Sequence, residues 1–252
     1  AAFAARQPSL MGFVGKKGSA ALQPWVKKLR AVYASPESLT RMSLPADNPH
    51  SSDIAIRGLA YLATYSPQKA LADWVELRPK LKFSPEQVNQ VEYAIARQTL
   101  LSRTASNNDW LEGALARLDD DTLIGIRLRW ALKEQDWAAL ERNLSLLSTA
   151  AKEETVWRYW LAFVQEWRGE AATARSILER LAVERDYYGF LAADKVGLPY
   201  SLNHETLVMD ATRPVQDFPA LQRIEELKFQ QEDRLAHSEW YTLLQGTEDL
   251  AQ

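Results

Sequence analysis

Residues 187–197 read YYGFLAADKVG and indicate a short helix with a defined start and end. Asp186 precedes the stretch, and an aspartate there caps a helix because its carboxylate accepts hydrogen bonds from the free N–H groups of the first turn. Gly197 closes the stretch and Pro199 follows just beyond, which is the usual order of residues at a helix C-terminus. These ends predict one helix over residues 187–196.

Gly189 interrupts this helix-favouring stretch and costs roughly 1 kcal/mol of helix propensity. Together with Ala192 and Ala193 it removes bulk from the helix surface. We therefore predict that Gly189 is a notch at which a neighbouring helix approaches closely. Leucine at this position should then destabilise the protein, whereas alanine should be mild or neutral.

Further helices are predicted along most of the chain. Proline needs no N–H donor at the first helical position, so a serine followed by proline marks a helix start, and Gln87 is in register for a capping box with Ser84. Three such starts occur: Ser35-Pro36, Ser66-Pro67 and Ser84-Pro85. Helical periodicity then predicts segments at 91–101, 115–132, 137–147, 156–167 and 172–182, an extended connector at 199–218, and last helices at 219–231 and 234–245.

A tryptophan pattern indicates how these helices are arranged. Residues 130–137 and 160–167 each begin and end with tryptophan, with an acidic residue before the second one. Their offset is about 30 residues, the length of a helical hairpin, which cannot bury its apolar face alone. Trp74 and Trp110 extend the pattern as acid-tryptophan pairs at predicted helix starts. The predicted fold is all-α, an α-solenoid or superhelix of stacked helical hairpins.

Composition excludes several functional classes. The chain is 46% hydrophobic and 25% charged, as in soluble globular proteins, and it contains no cysteine. Disulfides, thiolate nucleophiles and cysteine-bound metals are therefore excluded. His50, His204 and His237 lack metal-site spacing, and no nucleotide-binding glycine motif or nucleophile elbow occurs. We expect no metal, no cofactor, no nucleic-acid partner and no membrane span.

Positive charge is concentrated at the start of the chain. The net charge is -3, yet no acidic residue precedes Glu37, whereas six basic residues do: Arg6, Lys16, Lys17, Lys27, Lys28 and Arg30. Such an arm can attract phosphate or carboxylate polymers, although lysines on a solvated helix give the same pattern. Gly12, Gly15 and Gly18 lie within it, and without a preceding strand they indicate a flexible arm rather than a phosphate cradle.

Two other features have a structural interpretation. The nine tryptophans offer faces suited to sugars or bases, but most occupy apolar periodic positions, which favours packing between hairpins. Asp119–Asp121 bring three carboxylates together. At a helix start, however, such charges cap the helix, and the helix dipole stabilises them there. The sequence therefore predicts no catalytic residue and leaves the substrate-binding residues unassigned.

Three segments carry a resemblance to a known family: WRYWLAF (157–163), ARSILERLA (174–182) and YYGFLAADKVGLPYSLNHE (187–205). They resemble the end of the superhelical domain of the soluble lytic murein transglycosylases. The resemblance implies an α-superhelical (U-type) domain at 1–200, then a connector and the start of a helical linker domain at 201–252. It also implies a periplasmic location, peptidoglycan glycan strands as the partner, and a parent enzyme that cleaves the MurNAc-GlcNAc bond with a 1,6-anhydro product.

The catalytic motifs of that family are not both present. The family glutamate belongs to a Glu-Ser pair followed downstream by Gly-Leu-Met-Gln, whereas this chain has Glu37-Ser38 and no Gly-Leu-Met-Gln. Because Glu37 falls in the first turn of a predicted helix, we assign no catalysis to it. The sequence thus predicts a non-catalytic scaffold region that lacks the catalytic domain and is inactive alone. The alternative is a helical-repeat adaptor that binds protein segments, and a stand-alone enzyme has the least support.

Overall fold

The computed structural model describes residues 7–203 and 219–246, in which the regular secondary structure is helical and no strand occurs. The chain divides into two compact units, Ala1–Leu202 and Asn203–Gln252. In the first unit the helices are α1 (Pro8–Lys17), α2 (Gln23–Ala34), α3 (Pro49–Ala63), α4 (Pro67–Leu77), α5 (Pro85–Ser102), α6 (Asn108–Leu118), α7 (Asp121–Glu134), α8 (Trp137–Leu146), α9 (Thr149–Lys152), α10 (Thr155–Trp167), α11 (Ala171–Leu181) and α12 (Tyr187–Val196).

The helices of the first unit pack mainly on their near neighbours in sequence. α3 packs on α4 and α5, α7 packs on α8, and α10 packs on α11 and α12. The buried apolar side chains of this unit form three successive clusters, which follow the chain from α1–α5 through α5–α10 to α10–α12. Since each hairpin buries its apolar face against the next one, the predicted superhelix of stacked helical hairpins is confirmed.

The serine-proline starts have different outcomes. At α5 the capping box is present: the Gln87 N–H donates to Ser84 Oγ at 3.3 Å, and the Ser84 N–H donates to Gln87 Oε1 at 3.0 Å. α4 begins at Pro67 as predicted, without a side-chain hydrogen bond from Ser66. The helix predicted after Ser35 is instead a 3₁₀ turn, Pro36–Arg41.

α12 has the predicted ends but a different reason for its glycine. The Gly189 N–H donates to Asp186 Oδ1 at 2.8 Å, and Gly197 adopts φ 76°, a left-handed conformation that favours glycine. A Cβ at position 189 would lie 2.2 Å from the carbonyl oxygen of Glu184. The close group is the backbone of the preceding turn and not a neighbouring helix, so the notch interpretation is wrong. Even the Cβ of an alanine at position 189 would be too close to this backbone.

The tryptophan repeat does not mark equivalent positions. Trp137 opens α8, whereas Trp167 is the last residue of α10, and Trp74 lies near the end of α4. The segment predicted at 115–132 is also divided, because Asp119 adopts φ 50° at the end of α6. The repeat length still indicated hairpins, since hairpin size does not depend on which turn carries the tryptophan.

Two charged clusters join successive helices inside the stack. Glu92 of α5 is buried and accepts hydrogen bonds from Arg78 Nη1 at 3.2 Å and from Arg117 Nη2 at 2.9 Å. Glu112 of α6 accepts from Arg127 Nε at 2.8 Å and from Asn143 Nδ2 at 3.1 Å. Buried charges require partners of this kind, and the clusters therefore fix the position of α6 relative to the helices on either side.

The second unit contains a helical hairpin, α13 (Pro219–Phe229) and α14 (Asp233–Gly246). These bounds are within two residues of the last two helices that the sequence predicts, 219–231 and 234–245. Ile224 and Ala236 are buried between its helices, and Arg223 Nη2 lies 3.1 Å from Glu239 Oε2. Of the predicted connector at 199–218, residues 204–218 lie outside the described residues.

Candidate functional site

The basic arm forms two packed helices. Residues 8–17 are α1, and Gly15 is buried against α2, where a Cβ at position 15 would lie 2.5 Å from Val26 Cγ1. Gln23 Nε2 donates to the Gly15 carbonyl at 2.6 Å and ties the start of α2 to the end of α1. The prediction of a flexible arm is therefore wrong for residues 8–17, because these glycines permit a close helix contact.

Three basic side chains of this arm line one groove between α1 and α2, with a volume of about 370 Å³. They are Lys16 from α1 and Lys27 and Arg30 from α2, and all three are exposed. We call this feature the α1–α2 groove. Lys28 lies elsewhere, since its Nζ donates to the Ser43 carbonyl at 2.5 Å. Arg6 lies outside the described residues.

A larger opening lies between α8 and α11 and has a volume of about 650 Å³. We call it the α8–α11 cleft. Its floor is apolar and includes Leu144, Leu161 and Ile177. Its rim carries both signs of charge and includes Glu141, Lys152, Glu153, Arg158 and Arg180.

Some charges at the rim of the α8–α11 cleft are already paired. Glu141 Oε1 lies 2.7 Å from Arg168 Nη1, and Arg158 Nη1 lies 3.3 Å from Glu184 Oε1. An apolar floor with a mixed, partly neutralised rim suits a peptide or protein segment better than a uniformly charged polymer.

Glu37 and Ser38 lie in the 3₁₀ turn Pro36–Arg41 at the surface. Glu37 is exposed in the 3₁₀ turn, and Ser38 Oγ donates to the Ser35 carbonyl at 2.6 Å. Burial, with a smaller contribution from the Glu37 carboxylate, raises the pKa of the Tyr65 phenol. A general acid needs a position beside its substrate in a cavity, and neither of the two openings described above includes Glu37.

The three aspartates at 119–121 have separate structural roles. Asp120 caps α7, with Oδ1 accepting from the Leu123 N–H at 2.9 Å. Asp121 accepts from the Ser148 hydroxyl at 2.6 Å and from the Ser148 N–H at 2.9 Å. These two hydrogen bonds lower the pKa of the Asp121 carboxyl, the hydroxyl contributing more. The interpretation of these residues as capping charges is therefore right for Asp120, whereas Asp121 ties α7 to the start of α9.

The histidines lie apart. His50 packs its ring on Trp25 with 5.4 Å between ring centroids, His237 is near the Asp233 carbonyl in α14, and His204 lies outside the described residues. Residues 7–203 and 219–246 contain no group of three or more histidine and acidic residues arranged to hold a metal ion. Among the same residues, no helix has both the length and the apolar content that crossing a membrane requires.

Most tryptophans are packed in the core, as the sequence indicated. Trp74, Trp130 and Trp157 are buried, and Trp25, Trp110, Trp137 and Trp160 are partly buried against the same clusters. Trp167 and Trp240 are exposed by 50% and 44%. The tryptophans thus form no continuous exposed row within the described residues.

The stacked hairpins define a class, the α-helical superhelical proteins, in which the extended concave face of the stack is the usual binding surface. No family model matches the chain. Two curated relatives are named soluble lytic murein transglycosylase. The protein from Escherichia coli K12 is 30% identical over 167 residues, 64% of this chain and 26% of its own length. The protein from Salmonella typhimurium is 32% identical over 143 residues, 57% of this chain and 22% of its own length.

A solved structure extends the likeness to nearly the whole fold. The 70-kDa soluble lytic transglycosylase in complex with bulgecin A superposes with a TM-score of 0.77 at 24% identity, covering 95% of this chain and 39% of the solved one. The curated relatives confirm the resemblance to the soluble lytic murein transglycosylases, and the solved structure shows the same fold. The chain spans about a quarter of the length of the curated relatives it matches.

Proposed function

We propose that this chain is the superhelical scaffold region of a peptidoglycan lytic transglycosylase. The single observation that carries the proposal is its relationship to the soluble lytic murein transglycosylases through a stack of helical hairpins. In this proposal residues 1–200 are the superhelical domain, and residues 201–252 are the connector and the start of a helical linker domain. The region contacts glycan strands in the periplasm and does not itself break bonds.

The chemistry of the chain supports a non-catalytic role. Glycoside cleavage needs a carboxylic acid held beside the scissile oxygen. Glu37 is exposed in a 3₁₀ turn, and the sequence contains no Gly-Leu-Met-Gln. In the parent enzyme, one glutamate would act first as acid and then as base to cleave the MurNAc-GlcNAc bond with a 1,6-anhydro product.

Co-sedimentation with purified peptidoglycan sacculi tests the binding part of the proposal. We expect the chain to pellet with sacculi at low ionic strength and to be released as salt increases, because exposed charges are screened. A helical protein of similar net charge from an unrelated family serves as the control. If the chain pellets no more than the control protein at any salt concentration, the scaffold proposal is wrong.

The second candidate is a helical-repeat adaptor that binds protein segments, and the α8–α11 cleft favours it. Its apolar floor and its rim of both charge signs fit an amphipathic segment. Under this alternative, the chain would fail to pellet with sacculi, and Leu161→Glu in the floor would abolish binding of its protein partner. Retention on sacculi that is unaffected by Leu161→Glu favours the scaffold.

A further inference from the structure

The α1–α2 groove carries positive charge that the fold does not use. None of the ion pairs among the described residues involves Lys16, Lys27 or Arg30. No acidic residue lines the groove, and none precedes Glu37 in the chain. Cations that converge without a counter-charge repel one another, and a bound anion relieves that repulsion.

The shape of the groove depends on two glycines of α1. Gly15 permits the close contact with Val26, which joins the helices beneath the groove. Gly12 lies beside Arg30, since a Cβ at position 12 would be in ordinary contact, 3.8 Å, with the guanidinium carbon and with Nη1. The Arg30 guanidinium is thus placed beside α1 at Gly12, and its forked N–H donors match a planar anion.

The Gly15 carbonyl oxygen, which could repel a bound anion, already has two hydrogen-bond donors. The Gly15 carbonyl accepts hydrogen bonds from Gln23 Nε2 at 2.6 Å and from the Gly18 N–H at 3.1 Å. These two donors reduce the partial negative charge that the Gly15 carbonyl contributes at the C-terminal end of α1. The charged side chains that line the groove are Lys16, Lys27 and Arg30, all of them positive.

We propose that the α1–α2 groove binds carboxylate groups of peptidoglycan peptide stems. This inference rests on the proposed function, which supplies the polymer, whereas the groove supplies the recognition of its anionic groups. Carboxylates match the donors of Arg30, and Lys16 and Lys27 add charge from both walls. Peptide stems recur along each glycan strand, so each strand offers many copies of the anionic group to the single groove.

The test compares two triple variants of the full chain with the same change in charge. The groove variant is Lys16→Gln/Lys27→Gln/Arg30→Gln, and the control is Arg57→Gln/Arg97→Gln/Lys133→Gln, whose residues are exposed on other helices. We expect the groove variant to bind sacculi on the order of tenfold more weakly and the control to change by less than about twofold. Equal weakening in both variants would show nonspecific attraction and overturn the proposal.

Titration with a soluble disaccharide-tetrapeptide from peptidoglycan tests binding in the groove separately from the proposed function. In NMR titration of the full chain, we expect saturable shifts of the Gly12 and Gly15 amides with this muropeptide and much weaker shifts with inorganic phosphate. Equal responses to both ligands would mean an unselective anion site, and no response to muropeptide would remove the site. Shifts without retention on sacculi would keep the groove and contradict the proposed function.

Gly12→Glu gives an independent check that leaves the cations in place. The space at position 12 admits a side chain, and a glutamate there would place its own carboxylate beside Arg30. We expect this variant to lose the muropeptide shift of the Gly15 amide while Gly12→Gln retains most of it. Thermal unfolding of both variants establishes that they fold. Full muropeptide binding by Gly12→Glu would contradict the proposal.

Discussion

Gly189 shows how a single residue can be predicted correctly as important for the wrong reason. The sequence indicated a contact between helices, but the close atom is the Glu184 carbonyl oxygen, 2.2 Å from the position of a Cβ. That oxygen belongs to backbone and moves only with the turn. Spacing within the sequence cannot reveal this contact, because it depends on how the chain turns before α12.

The revised account predicts that Gly189→Ala and Gly189→Leu both destabilise the protein, by about 1–3 kcal/mol or more. Urea unfolding followed by circular dichroism measures the difference. Gly12→Ala is the matched control, since Gly12 lies inside α1 and a Cβ there makes only an ordinary contact, 3.8 Å, with the Arg30 guanidinium. Replacing glycine inside a helix should then stabilise by roughly 0.5–1 kcal/mol. A Gly189→Ala variant as stable as the parent would restore the original interpretation.

Asp186 gives a pH-dependent prediction at the same scale. Burial acts to raise the pKa of its carboxyl, but hydrogen bonds from the Thr155 side chain and from two backbone N–H groups outweigh burial and lower the pKa. A lowered folded pKa stabilises the protein above the unfolded value of about 3.9, and this contribution is lost as pH falls through the folded pKa.

The test is Asp186→Asn, which keeps a capping side chain but removes the charge. We expect the free energy of unfolding of Asp186→Asn to be lower than that of the parent by less than about 1 kcal/mol at neutral pH. The difference in unfolding free energy should shrink below about pH 4. Urea midpoints at several pH values measure it. A difference that stays constant from pH 7 to pH 3 would show that the charge contributes nothing.

At the scale of elements, local signals were predicted well and tertiary ones were not. The capping box joins Ser84 and Gln87, which are only three positions apart, so the sequence alone was sufficient to predict it. The 3₁₀ turn after Ser35 was missed because Pro36 and Leu39 are buried against other helices. Glu92 was also missed, although its position between apolar residues in VEYAI was a usable signal for a buried charge.

Glu92 should contribute strongly to the packing of α5 and α6. Glu92→Gln keeps the size of the side chain but removes the charge that Arg78 and Arg117 neutralise. We expect a loss of about 1–3 kcal/mol, measured by urea unfolding, since hydrogen bonds to a buried charged group are stronger than average. Glu76→Gln is the control, because the Glu76–Lys80 pair is exposed on both sides and contributes less than about 1 kcal/mol. Equal losses would contradict a structural role for Glu92.

At the scale of the whole molecule, the division into two units gives a prediction about folding. The three buried clusters lie within residues 7–203. A fragment that ends at Leu202 should therefore keep its helical spectrum and a cooperative thermal transition. A fragment that ends at Leu146 cuts the second cluster and should melt earlier and less cooperatively. If both fragments melt alike, the hairpins do not stabilise one another as the stack implies.

Function at this scale was only partly predictable from sequence. The segments at 157–163 and 187–205 carried the family resemblance, which the relatives confirm. The α1–α2 groove and the α8–α11 cleft were not predicted, because each joins residues of different helices. Lys16 and Arg30 lie in one groove only because Gly15 lets α1 pack on α2.

The most direct test of the scaffold account is to incubate the purified chain with sacculi and analyse both fractions. We predict that the chain pellets with sacculi in a salt-sensitive manner while mass spectrometry detects no 1,6-anhydro muropeptides in the soluble fraction. Glu37→Gln should behave like the parent. Anhydro products that disappear in Glu37→Gln would contradict the account and make Glu37 the catalytic acid.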